Sequence, residues 1–166
     1  MNTLKLKNVL SGVKRFSGVF SRDQFLNLGD IEGVCIVNTH FSTQPGEHWF
    51  VVEKQDDNIM IFDSYGSLSP VAISSDIMKK VYFNCKQFWM NTHRFQSLDS
   101  NVCGDYCIFY TIARAQGYSV YAILSTLKSF LSSHERDHAM RQTVMRWCNI
   151  FPPLTGMGDD NVHVFF

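Results

Sequence analysis

Apolar residues recur in two rhythms along this chain, and the change of rhythm divides it into blocks. Residues 33–38 (Gly-Val-Cys-Ile-Val-Asn) are short, β-branched and bounded by turn formers, which predicts a buried strand. Residues 48–53 and 58–63 repeat that pattern on either side of the polar stretch 54–57, so the two runs predict an antiparallel hairpin. A further strand is predicted over 87–93. From Cys103 the spacing changes to three and four, through Cys107, Ile108, Tyr110, Thr111, Ile112 and Ala115, and Gly117 is a credible stop: this is a helix with Cys103 at its start. Helices are also predicted over 70–81, 119–131 and 133–150. Near the beginning, Thr3 is placed to cap a short helix that carries Leu4, Val9, Leu10 and Val13 and stops near Gly18, and Ser21 to cap a turn through Leu28. Pro152, Pro153, Gly156 and Gly158 mark a tail. Strands in one block flanked by helical blocks predict an α+β fold, a central mixed or antiparallel sheet flanked by helices.

Composition adds bounds. At 166 residues the chain is expected to form a single domain over 1–166, burying roughly two-thirds of the surface its unfolded form exposes. Its 14 Phe, 6 Tyr and 3 Trp point to an aromatic core or a partner-facing surface. The formal net charge is zero, so the whole-chain field offers no long-range attraction for nucleic acid or anionic membrane, and the scattered cations read as solvated faces. Five Cys at irregular spacing suggest a reducing compartment. With no apolar leader and no run of membrane-spanning length, the expectation is a soluble intracellular or particle-enclosed protein, not a secreted one.

Four residue types then stand out in the chain order His48, Asp63, Gln96, Cys103. A thiol is a poor nucleophile until its proton is removed, so a catalytic Cys needs an imidazole as base, a carboxylate to orient it, and donors for the oxyanion. The predicted hairpin puts His48 at the beginning of one strand and Asp63 at the end of the next, which are adjacent ends when the strands run antiparallel. Cys103 at a helix start faces unpaired backbone N–H groups and the positive end of the helix dipole, both of which favour thiolate and can receive an oxyanion. Gly104 lets substrate approach that backbone. Gln96, seven residues before Cys103, is placed to fold its amide back as a further oxyanion donor, and Trp49 beside the imidazole is placed to wall the cleft.

Each assignment has a plainer reading. A Cys on an apolar helix is usually core, which is how Cys107 and Cys148 read; a His before a strand is often structural; and Asp63-Ser-Tyr-Gly66 also suits a turn. Residues 134–138, His-Glu-Arg-Asp-His, match the zinc-protease pattern H-E-x-x-H. A metal-binding helix is normally buried along that face, whereas the intervening pair here is Arg136-Asp137, and only Asp159, Asp160 and His163 follow as third ligands. Cys103 and Cys107 with His134 and His138 form a second zinc alternative.

The segments Ile36-Val-Asn-Thr39, His48-Trp49, Phe62-Asp63 with Tyr65-Gly66, and Gln96 followed after six residues by Cys103-Gly104 resemble the adenovirus protease (adenain) family and its relatives among the SUMO- and NEDD8-specific proteases. Phe16-Ser-Gly-Val-Phe-Ser-Arg-Asp23 is similar to the early loop of the adenoviral enzymes. The resemblance extends over residues 16–118. It implies an adenain-like cysteine protease fold with His48 as base, Asp63 as its orienting acid, Gln96 in the oxyanion hole and Cys103 as nucleophile, and a preference for small residues, especially Gly, beside the scissile bond. Adenoviral members have Glu where this chain has Asp63, while the SUMO-protease branch has Asp. Adenoviral members are also activated by DNA and by a short peptide tethered through a disulfide; Cys85, eleven residues before Gln96, matches the tether position.

The expectation is therefore a thiol endopeptidase that matures capsid or core proteins of a DNA virus or virus-like element. It needs no cofactor or metal for its chemistry, has a peptide activator as candidate partner, and has weak or no nucleic-acid binding and no membrane partner. The alternatives are a ubiquitin-like-protein isopeptidase, an acyl transferase, and a non-catalytic module that binds Gly-rich tails.

Overall fold

In the computed structural model, which describes residues 2–69 and 71–150, five strands pair in chain order: β1 (Phe16–Phe20), β2 (Gly33–Asn38), β3 (Trp49–Gln55), β4 (Asn58–Phe62) and β5 (Gln87–Met90). The inner three are antiparallel, with Asn38 opposite Trp49 and Val51 opposite Phe62. The outer pairs, β1 with β2 and β4 with β5, are parallel. A parallel pair requires a crossover, and a helix supplies each: α2 (Arg22–Leu26) and α3 (Ser75–Phe83). Both helices pack on the same face of the sheet, where Arg22 and Asp76 pair at 2.6 Å.

Period-two alternation sorts the strand side chains between two cores. Cys35, Val37, Phe50, Val52, Ile59 and Ile61 turn toward α2 and α3, which bring Phe25, Ile77 and Val81. Val34, Ile36, Trp49, Val51 and Phe62 turn the other way. There they meet α1 (Thr3–Leu10), α4 (Cys103–Ala115), α5 (Val120–Lys128) and α6 (Ser133–Ile150). Helix α4 lies against β3 and is buried along most of its length, with the Tyr110 ring stacked on Phe62 at 4.7 Å between centroids. The result is an α+β fold whose mixed sheet is covered by helices on both faces.

The differences from expectation have physical reasons. The first helix is capped by Asn2, whose side chain accepts the Lys5 N–H at 2.9 Å, and it ends at Leu10, turning its buried face through Leu6 and Leu10 while Leu4 is exposed. Both Asn and Thr are good caps, so the start moves by one residue; the end moves much further, because residues 16–20 form an edge strand. That strand's pattern is broken by Gly18 and by a register shift between Phe16 and Gly18, which hides its alternation. Helix α3 begins at Ser75, and Pro70 lies outside the described residues. Strand β5 ends at Met90, and the Asn91 side chain that follows is bonded to Asp63. The tail residues, including Asp159, Asp160 and His163, also lie outside the described part. No helix of the described residues is long and apolar enough to cross a membrane.

Candidate active site

The hairpin brings His48 and Asp63 to one end of the sheet, just before β3 and just after β4. The two side chains are 1% and 0% exposed, and His48 Nε2 lies 2.8 Å from Asp63 Oδ1. With Nε2 turned to the carboxylate, Nδ1 is the ring nitrogen left for another partner, and Cys103 stands at the first position of α4. The structure thus brings together the His, Asp and Cys singled out in the sequence, with Cys103 close enough to the imidazole to influence its titration. Burial alone pulls the imidazole pKa down. The Asp63 hydrogen bond and charge, with the neighbouring Cys103 thiol, outweigh it and push His48 up to about 9.

Asp63 is held by its surroundings. Its Oδ1 also accepts the Tyr65 N–H at 2.8 Å, its backbone N–H donates to Asn91 Oδ1 at 2.9 Å, and Asn91 Nδ2 donates back to the Asp63 carbonyl at 2.7 Å. Gly66 then turns the chain at φ 70°, and a Cβ there would stand 2.6 Å from the Thr92 carbonyl oxygen, so only glycine lets the two segments approach. Asn91 carried no signal in the sequence, because its partner lies 28 residues away and only β-pairing brings the two together.

Helix α4 begins without a side-chain cap; the first amides with backbone partners are those of Asp105 and Tyr106, both on the Val102 carbonyl. The N–H groups at Cys103 and Gly104 precede these and, like the first amides of any helix, have no intrahelical acceptor. Gln96 is fully buried and lines the same cleft as Cys103. Its amide is engaged at every atom: Nε2 donates to Tyr65 Oη at 3.1 Å and to the Ser100 carbonyl at 2.9 Å, and Oε1 accepts from Ser64 Oγ at 2.7 Å. Where the sequence predicts a donor aimed at the oxyanion, the structure has one whose hydrogens already rest on Tyr65 and Ser100.

The cleft has a volume of about 270 Å³ and is lined by Trp49, Tyr65, Gln96 and Cys103 together with His40, Phe41, Ser42 and residues 44–47. Trp49 walls it but is mostly buried in the core. The ring packed on the imidazole is that of Tyr65, with centroids 5.0 Å apart. Tyr65 therefore touches His48, Asp63 and Gln96 at once, a convergence that the turn-like sequence 63–66 conceals.

No protein-family model matches the chain. A cysteine protease of African swine fever virus is 30% identical to it over 102 residues, an alignment covering 55% of this chain and 37% of that protein. The chain is related to cysteine proteases. It spans little more than a third of that relative's length, and the relation reaches it as a distant one.

The other candidates lie apart from this cleft. Cys85 stands between α3 and β5 with its thiol partly exposed, and burial raises its pKa. Cys107 is buried in the core, and Cys148 is partly buried against it. His134 and His138 face solvent, bonded to Asp99 at 3.2 Å and to Gln142 at 2.7 Å. Among the described residues no three His, Cys, Asp or Glu side chains gather as metal ligands. The inward residues of that helix are Arg136 and Asp137, 4% and 7% exposed, the pair whose charge suggests a solvated face in the sequence. Burial is possible because each finds polar partners in the core.

Proposed function

We propose that the chain is a cysteine endopeptidase of the adenain type, cleaving beside small residues, above all Gly, in capsid or core precursor proteins of a virus or virus-like element. The observation that carries this reading is the buried His48–Asp63 pair set against a thiol that heads an uncapped helix. The relation to a viral cysteine protease supports the thiol chemistry and the viral setting. The aromatic walls at Trp49 and Tyr65 favour residues without bulky side chains.

In this mechanism the Cys103 thiol gives its proton to His48 Nδ1 and the sulfur attacks the scissile carbonyl carbon. The oxyanion sits at the start of α4 and takes over the Gln96 N–H that Tyr65 now accepts, since a charged acceptor binds an amide more strongly than a phenol does. The imidazolium returns its proton to the leaving amine as the C–N bond breaks. His48 then deprotonates the water that cleaves the thioester. Gln96→Ala is expected to lower kcat by about 10²–10³-fold with a smaller change in KM.

Because Asp63, with Cys103 beside it, outweighs burial and raises His48 to about 9 against about 6.5 for a free imidazole, the proton that His48 takes from the thiol stays on the ring through neutral pH. The pairing contributes stability in full below about pH 6.5 and loses it as the pH rises through 9. Activity is expected to decline over the same alkaline range, as the acid for the leaving amine is lost. Asp63→Asn removes the largest raising influence, so the alkaline limb of kcat/KM moves to lower pH; an unmoved limb assigns it to another group.

Incubation with Gly-Gly and Gly-Ala peptides beside ubiquitin-like precursors tests the whole reading. Cleavage of the short peptides supports the endopeptidase, and cleavage confined to ubiquitin-like tails makes the chain an isopeptidase. Failure of the wild type both to cleave any of them and to be alkylated selectively at Cys103 defeats the proposal.

A further inference from the structure

Gln96 is flanked by Phe95 and Ser97, and two adjacent side chains of α6 hold them, Arg136 the first and Asp137 the second. Arg136 donates to the Phe95 carbonyl and sets its guanidinium over the Phe95 ring, 5.5 Å from the centroid. Its remaining donors go to carbonyls at and beyond the end of α5, Leu127 and Phe130, where the helix dipole favours a cation. Asp137 Oδ2 accepts both the backbone N–H of Ser97, at 3.1 Å, and its hydroxyl. The other oxygen, Oδ1, accepts the Tyr106 hydroxyl at 2.8 Å. Tyr106 lies one turn after Cys103 on α4. Burial and this bond raise the Tyr106 pKa, so the phenol stays protonated as a donor.

We propose that Asp137, assisted by Arg136, is the positioning residue for the oxyanion glutamine: it ties the backbone that carries Gln96 to the helix that carries Cys103. This rests on the cysteine-protease reading above. Neither Arg136 nor Asp137 touches the cleft, so the effect passes through Ser97 and Phe95. A core pair serving only to hold the helices together would have no reason to bracket one particular residue on both sides. A displacement of about 1 Å at a reacting group costs on the order of 10²-fold in rate, which is the scale this clamp governs.

The test is Asp137→Asn, which keeps the volume but replaces one acceptor oxygen by a donor facing either Ser97 or Tyr106. A fall in kcat of roughly 10–100-fold at unchanged KM is expected. The rate of Cys103 alkylation by iodoacetamide should stay at the wild-type value, because alkylation forms no oxyanion. In a Gln96→Ala background the same substitution should cost nothing further. An unchanged kcat, or a loss that persists in full without Gln96 and slows alkylation equally, overturns the proposal. Independently of turnover, the side-chain amide resonances of Gln96 should shift or broaden in the variant while the His48 imidazole keeps its titration. Unmoved Gln96 resonances refute the positioning role whatever becomes of the protease reading; altered resonances in a protein that cuts nothing refute that reading and leave the positioning intact. Should Asp137→Asn fail to fold, Ser97→Ala removes only the hydroxyl bond and is expected to show the same pattern at smaller amplitude, with no change at Gln96 counting against the clamp.

Discussion

Alanine at position 103 is expected to abolish peptide cleavage, with a loss on the order of 10⁶-fold if Cys103 is the nucleophile, because no remaining group replaces the thioester route. The protein should nevertheless fold. Cys103 is 8% exposed and contributes one sulfur atom to the core edge, so melting should move by only a few degrees. His48 loses a partner in this variant, and its titration should fall toward that of a free imidazole, because the thiol is among the influences that raise it. Hydrolysis assays paired with thermal denaturation check both halves. Retained cleavage with an intact melt excludes Cys103 as nucleophile, and a collapsed melt shows that the sulfur serves packing.

The largest effect on stability is expected at Glu53, far from the chemistry. This carboxylate, 2% exposed on β3, accepts the Tyr110 hydroxyl at 2.7 Å and the Arg114 Nε–H at 2.8 Å, with Arg15 at 3.7 Å. Tyr110 and Arg114 belong to α4, so Glu53 fastens the helix headed by Cys103 to the strand preceded by His48. Glu53→Ala leaves a largely buried guanidinium and a buried phenol without their acceptor, and breaking such a group typically costs about 3–5 kcal/mol. For a domain of this size that is a fall in Tm of roughly 10 °C, readable by calorimetry or urea titration. A change below about 1 kcal/mol would mean that the helix is seated by the aromatic stack of Phe62 and Tyr110 and by apolar burial alone.

Glu53 also illustrates what the sequence conceals. Read along the chain, it is the polar end of an apolar run, with nothing to join it to residues 57 and 61 positions later. The strands of the hairpin and the helix from Cys103 were legible because their information is local: alternation, spacing of three and four, and turn formers at the ends. The proximity of His48 and Asp63 was legible for the same reason, since hairpin geometry alone makes their ends neighbours. The edge strand at 16–20 was not, because a glycine and a register shift erase its alternation. Asn91, Ser64, Tyr65 and Asp137 were hidden differently. Apart from the Tyr65 amide on Asp63, their partners lie well away along the chain, and only the completed sheet and helix packing show what they hold. Arg136 and Asp137 misled outright, since a charged dipeptide suggests solvent until its acceptors and donors are known.

Six of residues 41–47 line the cleft together with Cys103, yet the segment lies outside every strand and helix. The hairpin that aligns His48 with Asp63 tolerates no slippage, because a shift of one residue would exchange its two faces. This border is free of that constraint. Changes in the length or charge of this rim can therefore be absorbed without disturbing the register that aligns His48 with Asp63.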